Sequence, residues 1–277
     1  MQSLYSIQTA DRIFDTNGCR PILLTCNDMN SYVCKYNTGY SVALRLMCEF
    51  IAASFLKIWE LNVPDFALIT VQREHIPSDY NLNSNYFDFT CFGSKYCRNY
   101  AEITNFNANI SYQQRRAIPN RRELLCIALF DLWLANEDRN HNNYNLLVDI
   151  ENQRVFVPID HEKIFNTRNI SIPICELTYQ DSIISSLFFL KLFSDKDLDR
   201  DSLDDIREYF FSKVQLCGKN AIEIIEQLPL EWNIDKKALE NKLINEIFVD
   251  EWLVSSFNLF LSFLQQNNNI KDNAISL

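Results

Sequence analysis

Asp138 and Asn143 stand five residues apart, and Asp160 follows after a hairpin-sized interval. An acid, an amide five residues on and a second acid beyond them form the set that phosphoryl transfer requires. The first carboxylate orients an attacking hydroxyl and accepts its proton. The amide and the second carboxylate hold Mg2+ against the phosphates of a nucleotide such as ATP. All three lie in residues 133–165, WLANEDRNHNNYNLLVDIENQRVFVPIDHEKIF. In an Asn-rich chain the D-x-x-x-x-N spacing arises by chance, so the flanking elements must supply the discrimination.

Those elements have a definite order. Residues 121–135, RRELLCIALFDLWLA, are apolar almost all round, the mark of a helix buried inside a lobe. Asn120 can cap it, and Glu123 stands three residues on, as in a capping box. Asp131, inside this run, must be hydrogen-bonded or face a polar cleft. Residues 136–144 are polar and rich in loop-forming types. Residues 145–150 and 155–160 are strand-like, with a turn at 151–154. Folding that hairpin brings Asp160 back beside its start, so that Asp138, Asn143 and Asp160 converge.

Upstream, residues 21–27 and 31–36 read as a hairpin turning at Asp28-Met29-Asn30, with Lys35 sharing a face with Val33. Before it, residues 15–18 form a turn in which Gly18 is the glycine available to bring backbone N–H groups near a phosphate. A helix is expected over residues 41–59, capped by Ser41 and stopped by Asn62-Val63-Pro64. Glu49 falls among its apolar positions Val42, Leu46, Ala53 and Leu56. A carboxylate there needs a partner, either Arg45 one turn earlier or Lys35 on the preceding strand. FALITVQ (66–72) and residues 86–92 are further strands around a polar loop at 77–85, and Gly93-Ser94 marks a break. The expectation is an α+β fold of two lobes. Residues 1–92 form a small β-rich lobe with one long helix, and residues 93–277 form a mainly helical lobe carrying the catalytic loop and the metal-binding hairpin.

The last hundred residues supply helices and no visible chemistry. An apolar helix is expected over 181–193, a solvated acidic turn over 195–205, and further helices over 206–214, 221–228, 236–248 and 251–265.

Composition excludes several classes. The chain has 277 residues, 47% hydrophobic, enough for a sizeable core. A net charge of −10 makes direct nucleic-acid binding a poor expectation, because phosphate contacts need clustered Lys and Arg. Nine cysteines without a CxxC pair, beside three scattered histidines, do not make a structural zinc site, and unpaired thiols fit a reducing cytoplasm. The N-terminus does not read as a signal peptide, and the apolar run around Lys191 is too short to span a bilayer. With four glycines in all, a phosphate loop built from several glycines is ruled out.

The order strand lysine, helix glutamate, catalytic loop, strand aspartate is that of protein kinases. More narrowly, the chain resembles the HipA-like kinases, bacterial Ser/Thr kinases known from toxin–antitoxin modules, in a compact branch. The resemblance rests on YVCKY around Lys35, Glu49 followed by LNVPDFALI, FGSKY (92–96), and FDLWLANEDRNHNNYNLLV with PIDH. It implies Asp138 as the catalytic residue, Lys35 paired with Glu49 as the phosphate-binding lysine, and Asn143 and Asp160 as metal ligands. Asn145, in the family's N-x-N pattern, is a second ligand candidate. ATP and Mg2+ are the implied cofactors, a protein Ser/Thr the implied acceptor, and a small helix-turn-helix antitoxin the implied partner. Two departures stand out. The best-known members carry a phosphorylatable Ser in a glycine-rich loop, whereas here one glycine stands with only Thr16 or Thr25 nearby. Asp160 is followed by His161 and Glu162 rather than Phe and Gly. Two other readings keep the fold: a lipid or small-molecule kinase, and a non-catalytic pseudokinase that serves as an interaction module.

Overall fold

A computed structural model describes residues 3–14, 20–77, 82–104, 111, 113, 115, 118, 120–149, 155–193 and 198–267. The N-terminal strands β1 (Ser3–Tyr5), β2 (Arg12–Ile13), β3 (Ile22–Thr25), β4 (Ser31–Lys35), β5 (Phe66–Thr70) and β6 (Cys91–Lys95) form one sheet in the order β1-β5-β6-β4-β3-β2. Only the β1–β5 pair is parallel. The β3–β4 hairpin pairs Ile22 with Cys34 and Thr25 with Ser31. Its turn is closed by the Asp28 side chain, which accepts from the Asn30 N–H at 3.1 Å, while Met29 takes a positive φ of 65°. Along β4, Tyr32 and Cys34 point into the core with Ile22 and Leu24, so Val33 and Lys35 must face the other way.

The helix α1 (Leu44–Ile58) lies against this sheet and is buried over most of its length. It starts later than Ser41. Ala43 occupies the cap position without a side-chain bond, and its N–H donates to the Trp232 carbonyl at 3.0 Å, so a tertiary contact sets the start. The strand expected over 86–92 is also displaced. Ser84–Phe87 form a 3-10 turn capped by Asn83, and pairing with β4 and β5 begins at Cys91. Phe87 is drawn inward by Tyr36, ring centres 4.5 Å apart. β6 carries the sheet past the expected boundary after residue 92, to Lys95.

In the second lobe, β7 (Tyr100–Glu102), β8 (Leu146–Asp149) and β9 (Phe156–Pro158) form an antiparallel sheet beneath α2 (Arg122–Trp133). The expected capping box does not form. Arg121 holds the cap position, and the Glu123 carboxylate instead accepts from the Phe156 N–H of β9 at 2.9 Å. The turn expected at 151–154 lies outside the described residues. Residues 181–193 break into short turns before α3 (Leu187–Leu192), because Ser182 and Ser186 each cap the turn that follows. The two helices expected at 206–214 and 221–228 are one, α4 (Arg200–Glu226), capped by Asp199. Leu203, Ile206, Phe210, Val214, Cys217, Ala221 and Ile224 keep a helical stripe running straight through Gly218. α5 (Lys236–Lys242) continues through a π turn, and α6 (Asp250–Gln266) follows. No single described helix is long and apolar enough to cross a membrane.

The lobes are joined through aromatic packing. Trp59, just past α1, stacks on Trp133 at the end of α2 with ring centres 5.7 Å apart, and both rings are fully buried. The Trp133 indole N–H donates to Ile247 O at 2.9 Å. This fixes α1, which carries Glu49, relative to the loop that leaves α2.

Candidate active site

Lys35 is the junction of the site. From β4 its ammonium donates to Glu49 Oε1 of α1 at 2.5 Å and to Asp160 Oδ1, just past β9, at 2.7 Å. Of the two partners open to Glu49, the strand lysine is taken. Arg45 turns instead to Glu162, two residues after Asp160, in a charge-assisted bond. One cation between two carboxylates shapes the ionisation of all three groups. Burial raises Asp160, but the Lys35 charge and hydrogen bond outweigh it and hold the carboxyl at about 2. Burial pushes Glu49 up, Lys35 opposes, and the Asp160 charge adds, leaving Glu49 at about 7. Burial lowers Lys35, yet the two carboxylates carry it above the ordinary lysine range.

These groups open on a cleft of about 410 Å3 between the N-terminal sheet and the β8–β9 hairpin. Val33, Ala53, Phe92 and Leu147 give it apolar walls, and Lys35, Glu49, Asn145 and Asp160 line its polar end. A concave, largely apolar site with a few convergent polar groups is the form expected of a small-molecule pocket.

Asp138 sits in the loop after α2, with its side chain mostly buried. Its Oδ1 accepts from Asn143 Nδ2 at 3.3 Å and from Lys163 Nζ at 2.6 Å. Asn145 Nδ2 donates to the Asp138 carbonyl at 3.4 Å. Asp138 and Asn143 are therefore adjacent, as their spacing implies. The Lys35–Glu49–Asp160 group is a separate cluster. Neither Asp138 nor Asn143 lines the cleft, whereas Asn145 does. Gly18 lies outside the described residues.

A buried arginine links the two clusters. Arg139 is fully buried, and its Nε donates to Asp131 Oδ2 at 2.7 Å. The guanidinium also reaches Tyr144 O and Ile159 O, each at 3.3 Å, the Asn145 carbonyl, and His161 Nε2 at 2.7 Å. One planar fork thus ties the loop to both ends of the hairpin. Burial and the adjacent Arg139 hold His161 well below the usual histidine range, so it is neutral and accepts from the guanidinium. Asp131, the acid inside the buried helix, meets its requirement here, since Asn136 Nδ2 also donates to it at 2.7 Å.

The segment after Asp160 is also anchored. Phe165, Asn166, Thr167 and Arg168 all have positive φ, between 47° and 68°. Each such residue costs about 1–2 kcal/mol. Backbone bonds from Phe165 N to Leu134 O (2.7 Å) and from Asn166 N to Ala135 O (3.1 Å) hold the turn against the loop.

The donor set suits a hard divalent cation. Oxygen atoms of Glu49, Asp160 and Glu162 lie within 4.8 Å of one another, with no soft ligand among them. Asn145 uses its amide nitrogen on Asp138, which leaves Oδ1 as the atom it can offer to the cleft. Three residues of the site, Arg139, Lys163 and Glu162, escape the sequence reading. The available signal for the first is Asp131, a carboxylate in an apolar helix that demands a buried cation.

Comparison with known proteins bears on the family and the fold. The family model described as HipA-like kinase matches residues 12–253. No curated protein matches the chain. Among solved structures, the Helicobacter pylori proinflammatory kinase CtkA aligns over 96% of this chain and 99% of its own, at 14% identity and a TM-score of 0.52. The Golgi casein kinase aligns over 95% of this chain and 75% of its own, at 11% identity and a TM-score of 0.47. The first likeness shows a protein-kinase-like fold, and the family match covers most of the sequence. The chain belongs to the HipA-like kinase family.

Proposed function

We propose that this kinase transfers the γ-phosphoryl group of ATP to a serine or threonine hydroxyl of a protein, with Mg2+ as the divalent metal. The observation that carries the reading is the contact of Lys35 with both Glu49 and Asp160 at the polar end of the cleft. A lysine held by a helix glutamate beside an ionised aspartate is the arrangement that binds nucleotide phosphates. The apolar walls suit a purine ring. A bound Mg2+ would supply positive charge to offset the charge that develops on the transferring phosphoryl group. Asp160, with Asn145 or Asn143, would hold it. Asp138 would orient the acceptor hydroxyl and take its proton. The same resemblance supports a toxin paired with a small helix-turn-helix antitoxin and acting in the cytoplasm.

The test is transfer of radiolabelled γ-phosphate from ATP to protein acceptors in a cell extract, with Mg2+ present. The expected result is labelled phosphoserine or phosphothreonine, abolished by Asp138→Ala. Nucleotide binding without transfer to any protein would overturn the reading.

A further inference from the structure

Lys163 holds a position to which the phosphotransfer reading gives no role. Its ammonium contacts Asp138 Oδ1 at 2.6 Å, the same oxygen that Asn143 Nδ2 approaches at 3.3 Å. Among the described residues both side-chain contacts to this carboxylate fall on Oδ1, and none falls on Oδ2. The lysine backbone is set by the same loop. Its carbonyl accepts from the Glu137 N–H at 3.4 Å and from the Thr167 N–H at 3.2 Å. The ammonium is thus built over Asp138 by the residue next to it in sequence. The Lys163 side chain is 37% exposed. With the cationic partner this open to solvent, the pair adds only modestly to stability.

We infer that Lys163 is a positioning residue for phosphoryl transfer, pinning Asp138 Oδ1 so that Oδ2 is aimed at the acceptor hydroxyl. The inference rests on the phosphotransfer reading. In the step, the acceptor oxygen forms a bond to the γ-phosphorus and the bond from that phosphorus to the β,γ-bridging oxygen breaks. The hydroxyl proton passes to Asp138 Oδ2, and ADP leaves with the bridging oxygen. A carboxylate free to rotate would present Oδ2 for only part of the time, and misplacement on the scale of 1 Å costs on the order of 100-fold in rate.

The test compares wild type, Lys163→Met, which keeps the stem without the charge, and Lys163→Arg, which keeps the charge. The readouts are kcat for transfer, affinity for a fluorescent ATP analogue, and the melting midpoint. The expected result is a fall in kcat of about 10- to 100-fold for Lys163→Met. Nucleotide affinity and midpoint stay unchanged, and Lys163→Arg recovers most of the rate. A Lys163→Met enzyme within about twofold of wild-type kcat overturns the inference. So does a loss of nucleotide affinity or midpoint that matches the loss of rate, or a Lys163→Arg variant as slow as Lys163→Met. A wild type that transfers nothing overturns the phosphotransfer reading itself, and this inference with it.

Discussion

Lys35 and Asp160 are 125 residues apart in sequence and touch at 2.7 Å. The contact joins the N-terminal sheet to the end of the hairpin in the other lobe and sets the polar end of the cleft. It also places a cation where nucleotide phosphates and a metal would sit. The ammonium holds together two carboxylates that would otherwise repel each other.

Removing that cation should weaken nucleotide binding. In Lys35→Met, Glu49 and Asp160 face each other without a counter-ion, and Glu49 takes up a proton to relieve the repulsion. Hydrogen bonds to charged groups contribute about 1.5–3 kcal/mol, so ATP affinity should fall by roughly 10- to 100-fold. Titration with a fluorescent ATP analogue measures it. Unchanged affinity would show that phosphates bind elsewhere.

Glu49 gives the site a pH signature. Its carboxyl titrates at about 7 in the fold, above the ordinary 4.5. A group whose pKa is raised on folding contributes stability that is complete below the unfolded value. That stability is lost as pH climbs through the folded value. Between pH 4.5 and about 7 its contribution should decline by about 1.4 kcal/mol per pH unit. Urea unfolding of the metal-free protein in EDTA, from about pH 5 to 8, measures the slope. In Glu49→Gln this part of the slope should vanish, and parallel curves for the two proteins would refute the assignment.

Arg139 tests how the loop and hairpin are held. It is fully buried, and its loss leaves Asp131 without its cation and the Tyr144 and Ile159 carbonyls without a donor they now have. Breaking a buried pair from one side costs about 3–5 kcal/mol, and Arg139→Ala should lose that much in urea unfolding. Arg139→Lys should not restore stability, because a point charge cannot reach the same set of acceptors. A loss of under about 1 kcal/mol would mean that the pair is worth no more than a surface one.

Local patterns make much of this legible. The β3–β4 hairpin, the buried α2 and the β8–β9 pairing follow from alternation, all-round apolarity and turn residues that act within a few positions. Asp131 and Glu49 can be read as acids needing partners, because burial of an unpaired charge is prohibitive wherever it occurs. Which partner each finds is not written locally. Local spacing offers both Arg45 and Lys35 to Glu49, the kinase order favours Lys35, and only tertiary packing sets Arg45 against Glu162. The caps fail for the same reason. Ser41 and Glu123 have suitable chemistry, yet Trp232 and β9 supply competing bonds. The continuity of α4 through Gly218 is hidden because a single glycine weighs against helix in isolation, while the apolar stripe that outweighs it needs the whole 27-residue span to be seen.

Asp160 should make nucleotide stabilisation depend on metal. Its carboxyl, held at about 2, is ionised across the working pH range and offers a hard oxygen donor at the cleft. A ligand that binds only the native state at about 100 times its Kd adds about 2.7 kcal/mol. For a chain of this size that corresponds to a rise of several degrees in melting midpoint, at about 2–4 °C per kcal/mol. Wild type should show this rise with ATP plus Mg2+ and a smaller one with ATP in EDTA. Asp160→Asn removes one ligand charge and leaves Lys35 in place for the phosphates. It should therefore show the smaller rise under both conditions. If Asp160→Asn keeps the full metal-dependent increment, the metal is held by other oxygens, and Glu162 and Asn145 become the next ligands to replace.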